Sequence, residues 1–147
     1  MKIPEIKISL KVDKFKKSEL TSITSSKQGY EIFRTLFNAD TIDWLEESII
    51  LCLNRSNRVL GYYKLSSGGT AGTMMDPKVI FTIALNCSAS AIIVAHNHPS
   101  GNLTPSQPDI KTTENIKKLG DMMGITLLDH IIVTDEGFYS FSDDNKL

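Results

Sequence analysis

Five unbroken apolar residues, Ala91-Ile92-Ile93-Val94-Ala95, run directly into His96-Asn97-His98-Pro99. A short, β-branched apolar run of this kind reads as a buried strand. Side chains in extended backbone alternate faces, so the two imidazoles, two residues apart, emerge side by side where the strand leaves the core. A helix start follows. Thr104 is the expected N-cap, Pro105 the first helical residue and Gln107 the capping-box partner. Ser106 and Asp109, three apart, then share one face of the first turn. Pro108 is tolerated there because first-turn N–H groups have no intrahelical partners.

Two neutral nitrogen ligands and one carboxylate are what a catalytic zinc requires, the fourth tetrahedral position being left to water. His96, His98 and Asp109 would supply them, leaving a site of net positive charge that lowers the pKa of the water to about 7. A polar loop with two solvated histidines is the alternative. For one histidine that reading would stand; the strand, the His-x-His pair, the capped helix and the first-turn Asp together favour the metal.

His96-Asn97-His98-Pro99, followed by Ser106-Gln107-Pro108-Asp109, resembles the JAMM signature of JAB/MPN metalloprotease domains. His96 to Gly101, Pro105-Ser106, Leu128-Asp129-His130-Ile131-Ile132-Val133 and Tyr139-Ser140-Phe141 resemble the bacterial RadC-like branch more closely still, and the likeness runs from about Ser25 to the C-terminus. The resemblance implies a single-domain α/β fold, a JAB/MPN (cytidine-deaminase-like) mixed sheet flanked by helices. It also implies one zinc ion per chain and hydrolysis of a peptide or isopeptide amide in a peptide or protein substrate. A glutamate at the head of an upstream strand is the general base in such enzymes. Matching Leu53-Asn54 to the RadC-like pattern puts it at Glu46, with Glu47 the runner-up, since adjacent strand residues face opposite ways. Ser106 would donate a hydrogen bond to the developing oxyanion, or else bond local backbone as a helix-start residue. His130 would either support a metal ligand from behind or be a hydrogen-bonded core histidine, the second being preferred.

At 147 residues one domain is the natural expectation. Residues 1–24 are expected to form an N-terminal extended arm and 25–147 the domain. In the arm, Ile3, Ile6, Ile8, Leu10 and Val12 partly alternate with polar residues, suggesting an edge strand or an extended segment. A net charge of −1 provides no footprint for nucleic acid, and Lys11, Lys14, Lys16 and Lys17 read as a solvated stretch. No apolar run is long enough for a bilayer, and the first residues lack a secretory core, so a cytoplasmic protein is expected. Cys52 and Cys87 read as separate buried thiols. The oligomeric state stays open, a homo-oligomer included.

Ser25 or Ser26 should cap a helix to about Phe37, with Tyr30, Phe33, Leu36 and Phe37 inward. Asn38 to Thr41 reads as the turn that follows. A hairpin is expected from strand 48–53 through Asn54 to Asn57 into strand 58–65, with Arg55 and Arg58 at the solvated turn. Ser66 to Thr73 reads as a flexible loop, not a phosphate loop, because the Gly-Lys-Ser/Thr ending is absent. Asp76 and Pro77 should start a helix burying Val79, Ile80, Ile83, Ala84 and Cys87, with Met74 and Met75 filling gaps before it. The helix after Asp109 should bury Ile110, Ile116, Leu119 and Met123 and end at Gly124, with Gly120 a weak point. Strand 125–134 and a return over 138–141 complete the chain. Two other functions compete. RadC-like proteins carry a DNA-repair label, though this chain is too short to hold their helix-hairpin-helix region before the domain, and a metal-binding or metal-free scaffold is the third reading. A zinc deaminase is disfavoured because the His-x-Glu and Pro-Cys-x-x-Cys pattern is missing.

Overall fold

The elements of the chain were traced in a computed structural model that describes residues 3–9, 11, 16–67 and 75–147. Among these, α1 (Ser26–Leu36) precedes the hairpin β1 (Glu47–Leu53) and β2 (Val59–Ser67). Then come α2 (Pro77–Asn86), β3 (Ala91–Asn97), α3 (Gln107–Met123), β4 (Thr126–Val133) and β5 (Phe138–Ser140). The sheet order is β2-β1-β3-β4-β5. β3 and β4 run parallel, joined by the α3 crossover, and the other neighbours are antiparallel. This is the mixed α/β sheet flanked by helices that the resemblance implies.

Alternation along the central strands divides the core. Ile49, Leu51, Leu53, Ala95, Ile131 and Val133 pack with Phe33 and Phe37 of the α1 segment. Ile50, Cys52, Ile92 and Val94 pack with Ile80, Phe81 and Ala84 of α2 and Ile116 of α3. β1 and β3 are buried along their whole length, which is why both read as continuous apolar runs. His96, following Val94 at the second position, comes out on the α2/α3 side.

The caps show why the helices begin where they do. Ser25 accepts from Gln28 N, and Asp76 accepts from Lys78 N with Pro77 behind it, both as expected. The start of α3 is corrected. Ser106, not Thr104, is the N-cap, and Asp109, not Gln107, closes the capping box. Pro105 therefore precedes the helix, and Pro108 stands in the first turn as expected. Thr104 lies in the turn before the helix, its N–H bonded to the Asn102 side chain at 2.9 Å. Gly120 does not break α3. A Cβ there would stand 2.3 Å from the Ile125 carbonyl oxygen, so the glycine permits the close return of the chain into β4. Gly124 ends the helix in the left-handed region with φ 68°.

Other expectations are revised. Val79 and Met123 are exposed, and Phe81 takes the buried position on α2. Ser66 and Ser67 belong to β2. Arg58 is half-buried, bridged to Ser22 rather than sitting at the solvated turn. Residues 3–9 join no strand, and Ile3, Ile6 and Ile8 are exposed, so the edge strand is not formed there. Leu10, Val12, Lys14, Met74 and the glycine-rich stretch 68–73 lie outside the described residues. Cys52 and Cys87 are free thiols, as expected, the first buried and the second half-buried; burial, with the neighbouring Cys87, pushes Cys52 up to about 12. No described helix is long and apolar enough to cross a membrane.

Candidate metal centre

The site lies where β3 ends beside β1 and β4 and where α3 begins. Ser48 of β1 is paired with His96, and Ile132 of β4 flanks it on the other side. His98 N donates to Val133 O at 3.0 Å, which carries the parallel ladder one residue past the strand and holds the second histidine. Pro99-Ser100-Gly101 then reverse the chain, with Gly101 N bonded to His98 O at 3.0 Å and Gly101 at φ 76°. The reversal brings the Asn102 carbonyl to 2.6 Å from His98 Nδ1.

Three side chains that can each bind a metal converge. His96 Nε2 and His98 Nε2 are 3.0 Å apart. His96 Nε2 is 3.2 Å from Asp109 Oδ1, and His98 Nε2 is 3.5 Å from Asp109 Oδ2. Nitrogen and oxygen ligands about 2.0–2.1 Å from a tetrahedral zinc stand roughly 3.3 Å from one another, so the cluster has the spacing a single ion needs. Among the described residues, His96, His98 and Asp109 form the one group of three or more His, Cys, Asp or Glu side chains able to hold a metal ion.

Hydrogen bonds behind the cluster set which nitrogens face it. A carbonyl only accepts, so His98 Nδ1 carries the proton donated to Asn102 O and its Nε2 is left for the cluster. His96 Nδ1 is 2.8 Å from Nε2 of the fully buried His130. His130 Nδ1 is 2.6 Å from Thr113 Oγ1, which itself donates to the Asp109 carbonyl at 2.7 Å. Ser106 orients the carboxylate, its backbone N–H and hydroxyl both donating to Asp109 Oδ2 at 2.7 and 2.6 Å.

Electrostatics follow from these contacts. Burial raises the Asp109 carboxyl, but the neighbouring His96 and His98 rings, with the Ser106 hydroxyl, outweigh it and hold Asp109 well below the usual carboxylate range. The Asp109 bond raises His98, against the opposing pull of burial, and the Asn102 carbonyl and the charge of Glu46 add to the rise. Burial, with the charge of His96, pushes His130 well below its ordinary value, so it is neutral.

Glu46 is half-buried, immediately before β1, two residues from the Ser48 that pairs with His96, and its charge reaches His98. Glu47 is buried, its Oε1 3.7 Å from Lys64 Nζ on the opposite face and its Oε2 without a hydrogen-bond donor among the described residues. Ser106 gives its hydroxyl proton to Asp109 Oδ2 and caps α3, the helix-start bonding that was the alternative reading of this residue.

Two participants were missed by sequence reasoning. Asn97, between the histidines, is fully buried; it accepts from Glu47 N at 2.7 Å and donates to Ile42 O and Leu45 O at 2.6 and 2.8 Å. It thereby pins the backbone on both sides of Glu46. A polar residue pointing back into an apolar face was the available signal. Thr113, one helical turn beyond Asp109, carried none, because its partner His130 is distant in sequence.

A mixed sheet with two histidines at a strand end and an aspartate on the first turn of the next helix defines an α/β domain with a side-chain group able to hold a metal ion. The family model for the RadC-like JAB domain matches residues 23–147, and the chain belongs to that family. It is 40% identical over 126 residues to a UPF0758 protein of Flavobacterium johnsoniae, covering 86% of this chain and 54% of that one. A UPF0758 protein of Porphyromonas gingivalis is 40% identical over 127 residues, with 86% and 55% covered. The chain spans about half the length of the curated relatives it matches.

Proposed function

We propose that this domain is a zinc-dependent hydrolase of peptide or isopeptide amide bonds, with His96, His98 and Asp109 as metal ligands and Glu46 as general base. The observation that carries the reading is the convergence of two Nε2 atoms, whose rings donate or are bonded through Nδ1, on one carboxylate. Three groups with lone pairs turned on one another at such spacing repel unless a cation or a proton lies between them. When bound, the ion polarises the scissile carbonyl and lowers the pKa of a water molecule to about 7.

The protein does the rest. Glu46 takes a proton from the attacking water, whose oxygen bonds to the amide carbon, and passes it to the nitrogen as the C–N bond breaks. A carboxylic acid and an amine are the products. Asn97, bonded to Glu47 N and Leu45 O, holds the backbone that presents Glu46. Ser106 keeps Asp109 turned toward the histidines. Glu46 is favoured over Glu47 because Glu47 is turned to Lys64 on the far face.

Metal analysis of the purified protein and a peptide-library cleavage screen test the assignment. Wild type is expected to retain zinc and cleave. Glu46→Gln should retain zinc with turnover reduced at least 100-fold, whereas Glu47→Gln should cleave as wild type does. Undiminished cleavage by Glu46→Gln would remove that residue from the mechanism, and failure of wild type to bind zinc would remove the metal.

A further inference from the structure

We infer that His130 and Thr113 are positioning residues for the metal centre: they hold His96 in the tautomer that presents Nε2 and tie it, from behind, to the backbone of Asp109. The inference rests on the metal-centre reading above and extends it to two residues that touch neither metal nor substrate.

The proton count decides the direction of each bond. Thr113 has one hydroxyl proton, and it goes to the Asp109 carbonyl at 2.7 Å. Thr113 Oγ1 can therefore only accept from the ring nitrogen 2.6 Å away, so His130 carries its proton on Nδ1. His130 has no exposed surface, and its ring lies flat on Phe141, with centroids 4.8 Å apart and planes 6° from parallel. A second proton would place a charge in that setting without a carboxylate in contact, so its Nε2 holds a lone pair. That lone pair accepts from His96 Nδ1 at 2.8 Å, which leaves His96 Nε2 unprotonated and facing His98 and Asp109.

The result is a closed circuit. Asp109 meets His96 in front through its carboxylate and behind through its own carbonyl, by way of Thr113 and His130. One ligand comes from β3, the other from α3, and the circuit passes through β4, so all three elements are held in register at the site. Partners that fix the tautomer of a ligating histidine typically contribute 10–100-fold in metal affinity.

The test uses two readouts on the full chain. Zinc affinity is measured by chelator competition, and the tautomer of His96 is read from nitrogen-15 NMR of its ring in the metal-free protein. His130→Phe keeps a ring against Phe141 but offers no acceptor; zinc affinity should fall 10–100-fold and His96 should no longer hold its proton on Nδ1 alone. His130→Gln, whose amide oxygen can take the place of Nε2, should recover most of the affinity. Thr113→Val should weaken zinc binding and Thr113→Ser restore it. Should His130→Phe fail to fold, the Gln, Val and Ser variants carry the same comparison. Wild-type zinc affinity in His130→Phe or Thr113→Val, or His96 protonated on Nε2 in the wild type, would overturn the inference. A wild type that binds no zinc yet shows the Nδ1 tautomer would overturn the metal reading and leave the circuit standing.

Discussion

At the scale of single residues, the metal-free site is a proton-holding pair. His98 has a pKa above its ordinary 6.5, so its bond to Asp109 contributes stability that is complete below 6.5 and lost as pH rises through the higher folded value. Asp109 has a pKa below its ordinary 3.8, so its contribution is complete above 3.8 and lost as pH falls through the depressed value. Both contributions are therefore whole only between those limits. Thermal unfolding in the presence of chelator should show this site contributing most between pH 3.8 and 6.5 and progressively less on the alkaline side. Asp109→Asn should flatten that dependence and, with zinc restored at neutral pH, retain far less metal after dialysis. A pH profile identical to wild type would show that the two side chains are not coupled. The proton and the metal compete for His98, so zinc binding should strengthen as pH rises through the same interval.

At the scale of elements, the opening turn of α3 has two tasks performed by the same atoms. Ser106 and Asp109 form the capping box that starts the helix, and the Asp109 carboxylate so held is the one facing the histidines. Ser106→Ala removes the side-chain acceptor for Asp109 N and one of the two donors to Asp109 Oδ2. It should lower stability by about 0.5–2 kcal/mol, the usual cost of losing a cap, as read from chemical denaturation without metal. It should also weaken zinc binding, because the carboxylate is released from one of its anchors. Loss of stability with unchanged zinc affinity would show that the cap and the ligand are independent. The strand end acts similarly: the turn after His98 and the ladder bond to Val133 fix the backbone that carries the second imidazole.

At the scale of the whole molecule, the proposed metal centre ties the end of β3 to the opening turn of α3. The proposed ligands on β3 and α3, with the circuit through β4, span the crossover that closes the parallel part of the sheet. An ion that binds the folded chain but not the unfolded one stabilises it by mass action, by about 2.7 kcal/mol at 100 times the dissociation constant. Saturating zinc should thus raise Tm by roughly 10 °C for a domain of this size, and a chelator should reverse the shift. No change in Tm at a zinc concentration that fills the site by metal analysis would mean that the unfolded chain binds the ion equally well. Because the chain spans about half the length of its curated relatives, the same measurement on a longer relative would show whether flanking segments alter the centre.

The sequence by itself determined the strand that carries the histidines, the three helices and the chemistry of the ligand set. These are local: apolar runs, i to i+2 alternation and capping residues act over a few positions, and His96, His98 and Asp109 are close enough along the chain for spacing to bring them together. Tertiary structure decided what depends on atoms far apart in sequence. The separation of Glu46 from Glu47 came from the Asn97 bonds across 50 and 52 residues and from Lys64 on the other face. Which of its two readings His130 takes stayed open until folding set it between His96, 34 residues away, and Thr113, 17 away. A histidine's protonated nitrogen is chosen by its neighbours, and only the folded chain supplies them.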